Sequence, residues 1–575
     1  MVQTKSKIEA SKRVQVAAQL IVLVLITCTL VALSYNLDSP GLQYDESLFI
    51  NGSLGFKFKW MNSGDLFGIP TFVFPYIGSL KSILYSPFFH LFGINAYTIR
   101  LPSLIIGLVA IYSPLLCLKS QLSPYRVFIY FALPGSCINL LLLTRNDWGP
   151  VAISLLLTSF LYILLFLNDI PLTRRKNLFL ISLLSLLLVF NKLDGLFPVT
   201  SIASVYIISK LNLSGLSLKA RIDSINIIAI KKFIIAITPA YIFFAFRFAH
   251  IRMTVNTLSN NTSNRPFVQY LQESIFSVLN PYQLTGYFYD NPEEFQIFHK
   301  FILILLASVT FVIIFSKKND AAITPKNRFN LSSTSKKLLA NSLILTLIIY
   351  LSPLQTSTHH YYMIGFSLLL SISFGLMYIN QYPISSILYL NKIVTLLIVL
   401  LLSANITFNL IGTSFHLKNI HMGNYSRIWN NEIYTLSSSL EQMLKSKTNY
   451  VSAFYIDWGF INQIESLNAF KINLDNYYSQ EIHESLDDIP IEYALTLHQT
   501  QVKDEQTKLS HYMVFIGNNK PFNMGSLFDQ QKSCYVAYEE QFEQLTHKIN
   551  ATLKSDSSLI MRHSHVCTFL IEDLS

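Results

Sequence analysis

Apolar runs about as long as a bilayer is thick recur down this chain to residue 411, and nothing constrains its fold more. They lie near 14–33, 98–118, 127–144, 149–167, 178–192, 195–210, 233–248, 299–316, 338–354, 361–379 and 393–411. A spanning helix takes about 20 predominantly apolar residues. About eleven spans are therefore expected. Only 13% of the 575 residues are charged, roughly half the usual ~25% of a soluble domain. The chain reads as a polytopic α-helical membrane protein.

The net charge of +10 does not point to nucleic acid. The cations fall in short loops between apolar runs, the positive-inside pattern. With a cytoplasmic N-terminus, inside loops hold Lys119 and Arg126, then Arg174, Arg175 and Lys176. Next come Lys210, Lys219, Arg221, Lys231 and Lys232, and then Lys317, Lys318, Lys326, Arg328, Lys336 and Lys337. Basic clusters on both flanks of 178–210 predict a tight turn near Lys192-Leu193-Asp194-Gly195.

Two outside segments are long. The first, 36–97, holds Tyr44-Asp45-Glu46 and then an apolar stretch from Tyr76 to Phe92 that contains Lys81 and Pro87. That stretch reads as helices lying in the membrane interface. The second, 249–298, carries Tyr282, Tyr287, Phe288 and Tyr289, which suit an aromatic belt or carbohydrate stacking. Asn-x-Ser/Thr triplets such as those at Asn51, Asn261 and Asn424 arise by chance in a chain rich in Asn.

After residue 411 the charge density becomes ordinary. Residues 412–575 are expected to form a soluble α/β domain on the extracytoplasmic side, following a membrane domain over 1–411. Strands are predicted at Val451–Ile456, Tyr512–Ile516 and Val566–Ile571, and helices at Glu432–Lys445 and Glu539–Lys554. Cys534 and Cys567 are its only cysteines, and a disulfide or two thiols both fit. Cys28, Cys117 and Cys137 sit in or beside spans as small apolar residues.

This topology gathers four polar clusters at the outer membrane edge. They are Asp45-Glu46, Arg145-Asn146-Asp147-Trp148, Lys192 with Asp194, and His359-His360, with Arg100 opening the second span. Ionisable groups at that depth are costly and usually functional. Singly, each has a structural explanation: a solvated carboxylate, an internal ion pair, a snorkelling lysine, a helix cap. Together they suit transfer of a phosphate-linked group. A carboxylate takes the proton of an acceptor hydroxyl, and cations steady the departing phosphate. Asp45, Glu46, His359 and His360 could alternatively hold a divalent metal doing the same work. No HExxH, P-loop, Gly-rich nucleotide loop or GxSxG sequence supports another class.

At these residues the sequence resembles a known group. Tyr44-Asp45-Glu46 after the first span is similar to the acidic motif of GT-C glycosyltransferases. The stretch Phe89 to Gly107, FHLFGINAYTIRLPSLIIG, resembles the following block in the protein O-mannosyltransferase and aminoarabinose transferase superfamily. Thr144-Arg145-Asn146-Asp147-Trp148-Gly149-Pro150 resembles the next. The similarity covers about 40–200, with His359-His360 and Asp457-Trp458-Gly459 resembling features of bacterial members.

The resemblance implies a GT-C fold in a bacterial inner membrane. It implies a sugar donor on a polyprenyl phosphate, an extracytoplasmic acceptor (lipid, glycan or protein) and inversion at the anomeric centre. By position, Asp45 would be the general base, with Glu46 and Asp147 as further catalytic carboxylates. Arg145, Lys81, Arg100, Lys192, His359 and His360 would contact the donor phosphate or other substrate. Residues 412–575 do not resemble the sugar-recognition modules of eukaryotic protein mannosyltransferases. Two other classes compete. A transporter or flippase would favour internal repeats and midplane charges, and neither is visible. A membrane-anchored receptor would leave Asp45-Glu46 and Arg145/Asp147 without a role.

Overall fold

The computed structural model describes residues 2–55, 64–66, 68–172, 174–211, 227–254, 304–308, 331–351, 362–381, 388–422, 451–455, 511–517, 557–563 and 566–572, with 434, 437, 438, 466 and 467. The chain divides into two compact units. One comprises Met1–Leu37, Phe58–Tyr85 and Ile99–Asn419; the other comprises Asp38–Lys57, Ser86–Thr98 and Ile420–Ser575.

The first unit is helical. It opens with α1 (Val2–Ser34), which turns Ala18, Val22 and Leu33 to the core and other apolar side chains outward. Leu20, Leu23, Val24 and Val31 are 57–65% exposed, an apolar surface suited to contact with lipid. Of α4 (Ala96–Leu116), Leu104, Leu108, Ile111 and Leu115 face the protein core while Ile105, Val109 and Leu116 lie exposed. A helix apolar all round suits a bundle in a membrane.

The next stretch is broken. Ser123 caps α5 (Pro124–Tyr130), with Pro124 at the first turn, where its missing N–H costs nothing. A π-helical turn (Phe131–Gly135) follows, then α6 (Ile138–Arg145), bent 62° from the preceding segment. Pro134 lies in that turn and cannot continue the ladder. Away from water, carbonyls freed by such a break need other donors. Asn405 reaches the carbonyl of Ala132, and Tyr112 donates to that of Gly135 at 3.3 Å.

Beyond lie α7 (Val151–Tyr162), α8 (Arg175–Asn191), α9 (Leu196–Lys210), α10 (Ile227–Thr254), α11 (Leu331–Leu351), α12 (Tyr362–Gln381) and α13 (Leu388–Met422). A polar ladder joins four of them. Asn341 on α11 donates to Tyr162 at 2.8 Å and Ser367 at 3.1 Å, and accepts from Ser201 at 2.9 Å. Hydrogen bonds between helices carry association where the hydrophobic effect has no gradient.

Two short hairpins precede α3 (Leu80–Phe92). The first pairs β1 (Asp65–Leu66) with β2 (Ile69–Pro70); the second pairs β3 (Phe72–Phe74) with β4 (Ile77–Gly78). The second hairpin is held from two sides. Ile77 bridges Lys192, and Leu193 N donates to Tyr76 O at 2.9 Å. Arg247 of α10 donates to Pro75 O at 3.0 Å and lies 3.8 Å over the Phe72 ring. Gly78 is required here, because a Cβ would collide with the Phe190 carbonyl.

Five helices are long and apolar enough to cross a membrane: Lys12–Ser34, Ala96–Leu116, Ile227–Ala249, Leu331–Leu351 and Lys392–Asn419. The bent pair at Pro124–Arg145 makes a sixth, and Val151–Leu167 and Tyr362–Tyr378 are shorter apolar helices. Eleven spans were expected, and five or six pass this length test among the described residues. The chain does break at Lys192, where a short 3₁₀ turn (Leu193–Gly195) separates α8 from α9. Most of the expected span at 299–316 lies outside the described residues.

The second unit contains α2 (Tyr44–Ser53) and a four-stranded sheet in the order β5-β6-β8-β7. β5 (Val451–Tyr455) is parallel to β6 (His511–Gly517), which is antiparallel to β8 (Val566–Glu572); β8 is antiparallel to β7 (Ser557–His563). Three strands fall where the alternation placed them, and β7 was not anticipated. Helix α13 runs past residue 411 to Met422. The helices expected at 539–554 and over most of 432–445, Asp457-Trp458-Gly459 and Cys534 lie outside the described residues.

Candidate active site

The Asp-Glu pair sits in the first turn of α2, and its two carboxylates do different work. Gln43 is the N-cap: its side chain accepts from Asp45 N at 2.7 Å. Three residues on, Glu46 accepts from Gln43 N at 2.8 Å, closing a reciprocal capping box. Glu46 is 0% exposed, so this carboxylate serves its own helix. Asp45 is only half-buried. It sits at a helix N-terminus, where the dipole favours a negative charge.

The first unit holds a separate polar centre built on Asp147. Lys81, on α3, pairs with Asp147 Oδ1 at 2.8 Å. Its ammonium also donates to the carbonyls of Gly149 at 2.6 Å and Asp147 at 3.1 Å. Tyr85, one helical turn after Lys81, donates to Asp147 Oδ1 at 3.3 Å. Lys81 and Asp147 are 1% and 2% exposed. Asp147 has φ +51° and Gly149 φ +64°. Asp is among the few non-Gly residues that tolerate the left-handed region, and two such residues turn the chain sharply after α6.

Arg145 and Arg100 are committed to the exit of α1. Arg145 donates from Nε to Leu33 O at 2.9 Å and from Nη2 to Tyr35 O at 3.1 Å and Asn36 O at 3.0 Å. Its Nη1 donates to Asn146 Oδ1 at 2.8 Å. Arg100 donates to Leu37 O at 2.7 Å. Both are 0% exposed. Carbonyls at a helix C-terminus have no partners of their own, and a guanidinium fork supplies donors and favourable charge together.

Lys192 lies in the turn between α8 and α9. It pairs with Asp194 at 3.2 Å, and their side chains are 14% and 28% exposed. It is thus more accessible than Lys81. Asn146 Nδ2 and Asn191 Oδ1 are buried and have no hydrogen-bond partner among the described residues. Asn191 Nδ2 donates to Pro150 O at 3.0 Å and Ser154 Oγ at 2.8 Å.

The structure therefore brings Lys81 to Asp147 and sets Arg145 and Arg100 on one loop. His359 and His360 lie outside the described residues. Tyr85 was missed in the sequence. Its signal was the four-residue spacing from Lys81, legible once that segment is read as a single helix. Among the described residues no three His, Cys, Asp or Glu side chains come together. Of the metal candidates named from sequence, Asp45 and Glu46 are among the described residues and His359 and His360 are not.

No protein-family model matches the sequence, and no curated protein matches it. Solved structures do. Crystal structures of ArnT from Cupriavidus metallidurans, in the apo state and bound to undecaprenyl phosphate, match with a TM-score of 0.54 at 10% identity. The match covers 96% of this chain and 98% and 97% of theirs. At that identity the likeness concerns the fold alone: the chain shares the overall fold of these ArnT structures.

Proposed function

We propose that this protein is a membrane glycosyltransferase of a bacterial inner membrane. It transfers a sugar from a polyprenyl-phosphate-linked donor to an extracytoplasmic acceptor, which could be a lipid, a glycan or a protein. The observation that carries this reading is the likeness in fold to ArnT over nearly the whole of both chains, one ArnT structure being bound to undecaprenyl phosphate. In this reading the N-terminus is cytoplasmic and the soluble C-terminal region extracytoplasmic.

Asp45 takes the proton from the acceptor hydroxyl. The acceptor oxygen forms a bond to the anomeric carbon as the bond from that carbon to the phosphate oxygen breaks. Polyprenyl phosphate leaves with the electron pair, and the anomeric centre inverts. Positive charge near the leaving phosphate lowers the barrier. Of Lys81, Arg100, Arg145 and Lys192, Lys192 is the most exposed, and we assign it this role. Lys81, already paired with Asp147, contributes by holding that carboxylate and the turn at Gly149. Arg145 and Arg100 act through the exit of α1. His359 and His360 remain candidates for the donor phosphate.

The test is transfer of labelled sugar from a panel of polyprenyl-phosphate donors in membranes containing the protein. Labelled product with inverted anomeric configuration is expected. Movement of the donor across the bilayer with no transfer from any donor would replace this reading with a flippase.

A further inference from the structure

The helix that carries Asp45 is held by a residue from the far end of the chain. Ser466 is 0% exposed, and its hydroxyl lies 2.5 Å from Asn51 Oδ1 and 3.3 Å from Ser47 O. All three belong to the second unit. The contact joins positions more than 400 residues apart, so it is not a local turn. Asn51 is 6% exposed and Ser47 0%. The triplet at Asn51 therefore marks an interior hydrogen bond rather than a surface acceptor for a glycan.

The geometry has direction. Ser47 and Asn51 are four residues apart and share one face of α2. Asp45 is two residues before Ser47, about 200° round the helix. Ser466 grips the face that turns away from the half-exposed carboxylate. α2 has only ten residues, and a helix of fewer than about 12 is marginal without tertiary support. Its cap is internal, made by Gln43 and Glu46, and a cap fixes where a helix starts rather than how it is rotated.

We infer that Ser466 and Asn51 are positioning residues for Asp45, and that Ser466 takes part in catalysis through this grip. The inference rests on the reading of Asp45 as the base. Buried Leu48, Phe49 and Ile50 also seat α2, so losing the hydrogen bond loosens the helix on the Ser47–Asn51 face and shifts the Asp45 carboxylate rather than releasing it. A misplacement near 1 Å can cost up to about a hundredfold in rate, and a single lost hydrogen bond should give about tenfold.

The experiment measures kcat and KM for sugar transfer in wild type, Ser466→Ala, Asn51→Leu, Asp45→Asn and the double variant Ser466→Ala/Asp45→Asn, normalised to folded protein. Ser466→Ala and Asn51→Leu should each lower kcat about tenfold with KM for the donor unchanged. In the Asp45→Asn background Ser466→Ala should cost nothing further, because the group it positions is gone. An equal loss in both backgrounds would make the contact merely structural and overturn the inference. So would unchanged kcat in both single variants. Full activity in Asp45→Asn would instead remove the base assignment, a result distinguishable from either.

Discussion

The Lys81–Asp147 pair makes the sharpest quantitative claim. Both side chains are almost fully buried and 2.8 Å apart. At an effective dielectric of about 20, charges at that distance attract by about 6 kcal/mol. Desolvation takes back a large part, so the pair itself adds little, but removing one partner leaves a charge buried without its counterpart. That costs about 3–5 kcal/mol. Lys81→Met and Asp147→Asn should each destabilise by that amount. Asn suits the second position because it also tolerates positive φ. The double variant should lose about the same as either single one. The two single losses sum to about 6–10 kcal/mol against about 3–5 kcal/mol for the double variant, so the coupling should be at least about 3 kcal/mol, at the upper end for residues in contact. Reversible unfolding in mixed micelles, read by tryptophan fluorescence for all four proteins, gives it directly. Additive losses, within about 0.5 kcal/mol, would refute the claim that the two charges depend on each other.

Other consequences are as specific. Asn341→Leu removes three interhelical hydrogen bonds; at about 0.6 kcal/mol each, the same unfolding assay should show a loss near 2 kcal/mol, and Tyr162→Phe about a third of it. Arg145→Lys should destabilise nearly as much as Arg145→Met, because an ammonium cannot span the carbonyls of Leu33, Tyr35 and Asn36 as the fork does; thermal inactivation in detergent compares them. Glu46→Gln keeps an acceptor for Gln43 N and should retain transfer within about threefold, while Glu46→Ala loses the cap and about 1 kcal/mol of stability.

Much of the fold could be read from the sequence, because its signals were local. The apolar runs mark most of the helices, and the cations flanking 178–210 locate the break at Lys192. Alternation finds β5, β6 and β8. It misses β7, whose Ser557-Ser558 start is polar and which lies at the sheet edge with one neighbour. The last long helix outran its apolar stretch because hydropathy falls after Ile411 while helical pairing continues to Met422. The span count was harder. α8 and α9 have 17 and 15 residues, so each is short for a span although its composition is apolar.

The candidate site was legible as a set of residues but not as a set of partnerships. Asp45 and Glu46 look equivalent in sequence; only the cap separates them, and Gln43 three residues before Glu46 was its one local sign. Arg145 and Asp147, two residues apart, invite reading as an ion pair. The structure sends Arg145 to the carbonyls after α1 and gives Asp147 to Lys81, 66 residues away. Contacts over that span leave no periodic trace.

The central claim is that Asp45 is the base of a lipid-dependent sugar transfer. The most direct measurement is turnover of labelled polyprenyl-phosphate sugar by wild type and Asp45→Asn at matched protein levels. The account predicts a fall of about a hundredfold or more, within the contribution of a positioned general base, with folded protein unchanged. Equal turnover in the two would contradict it.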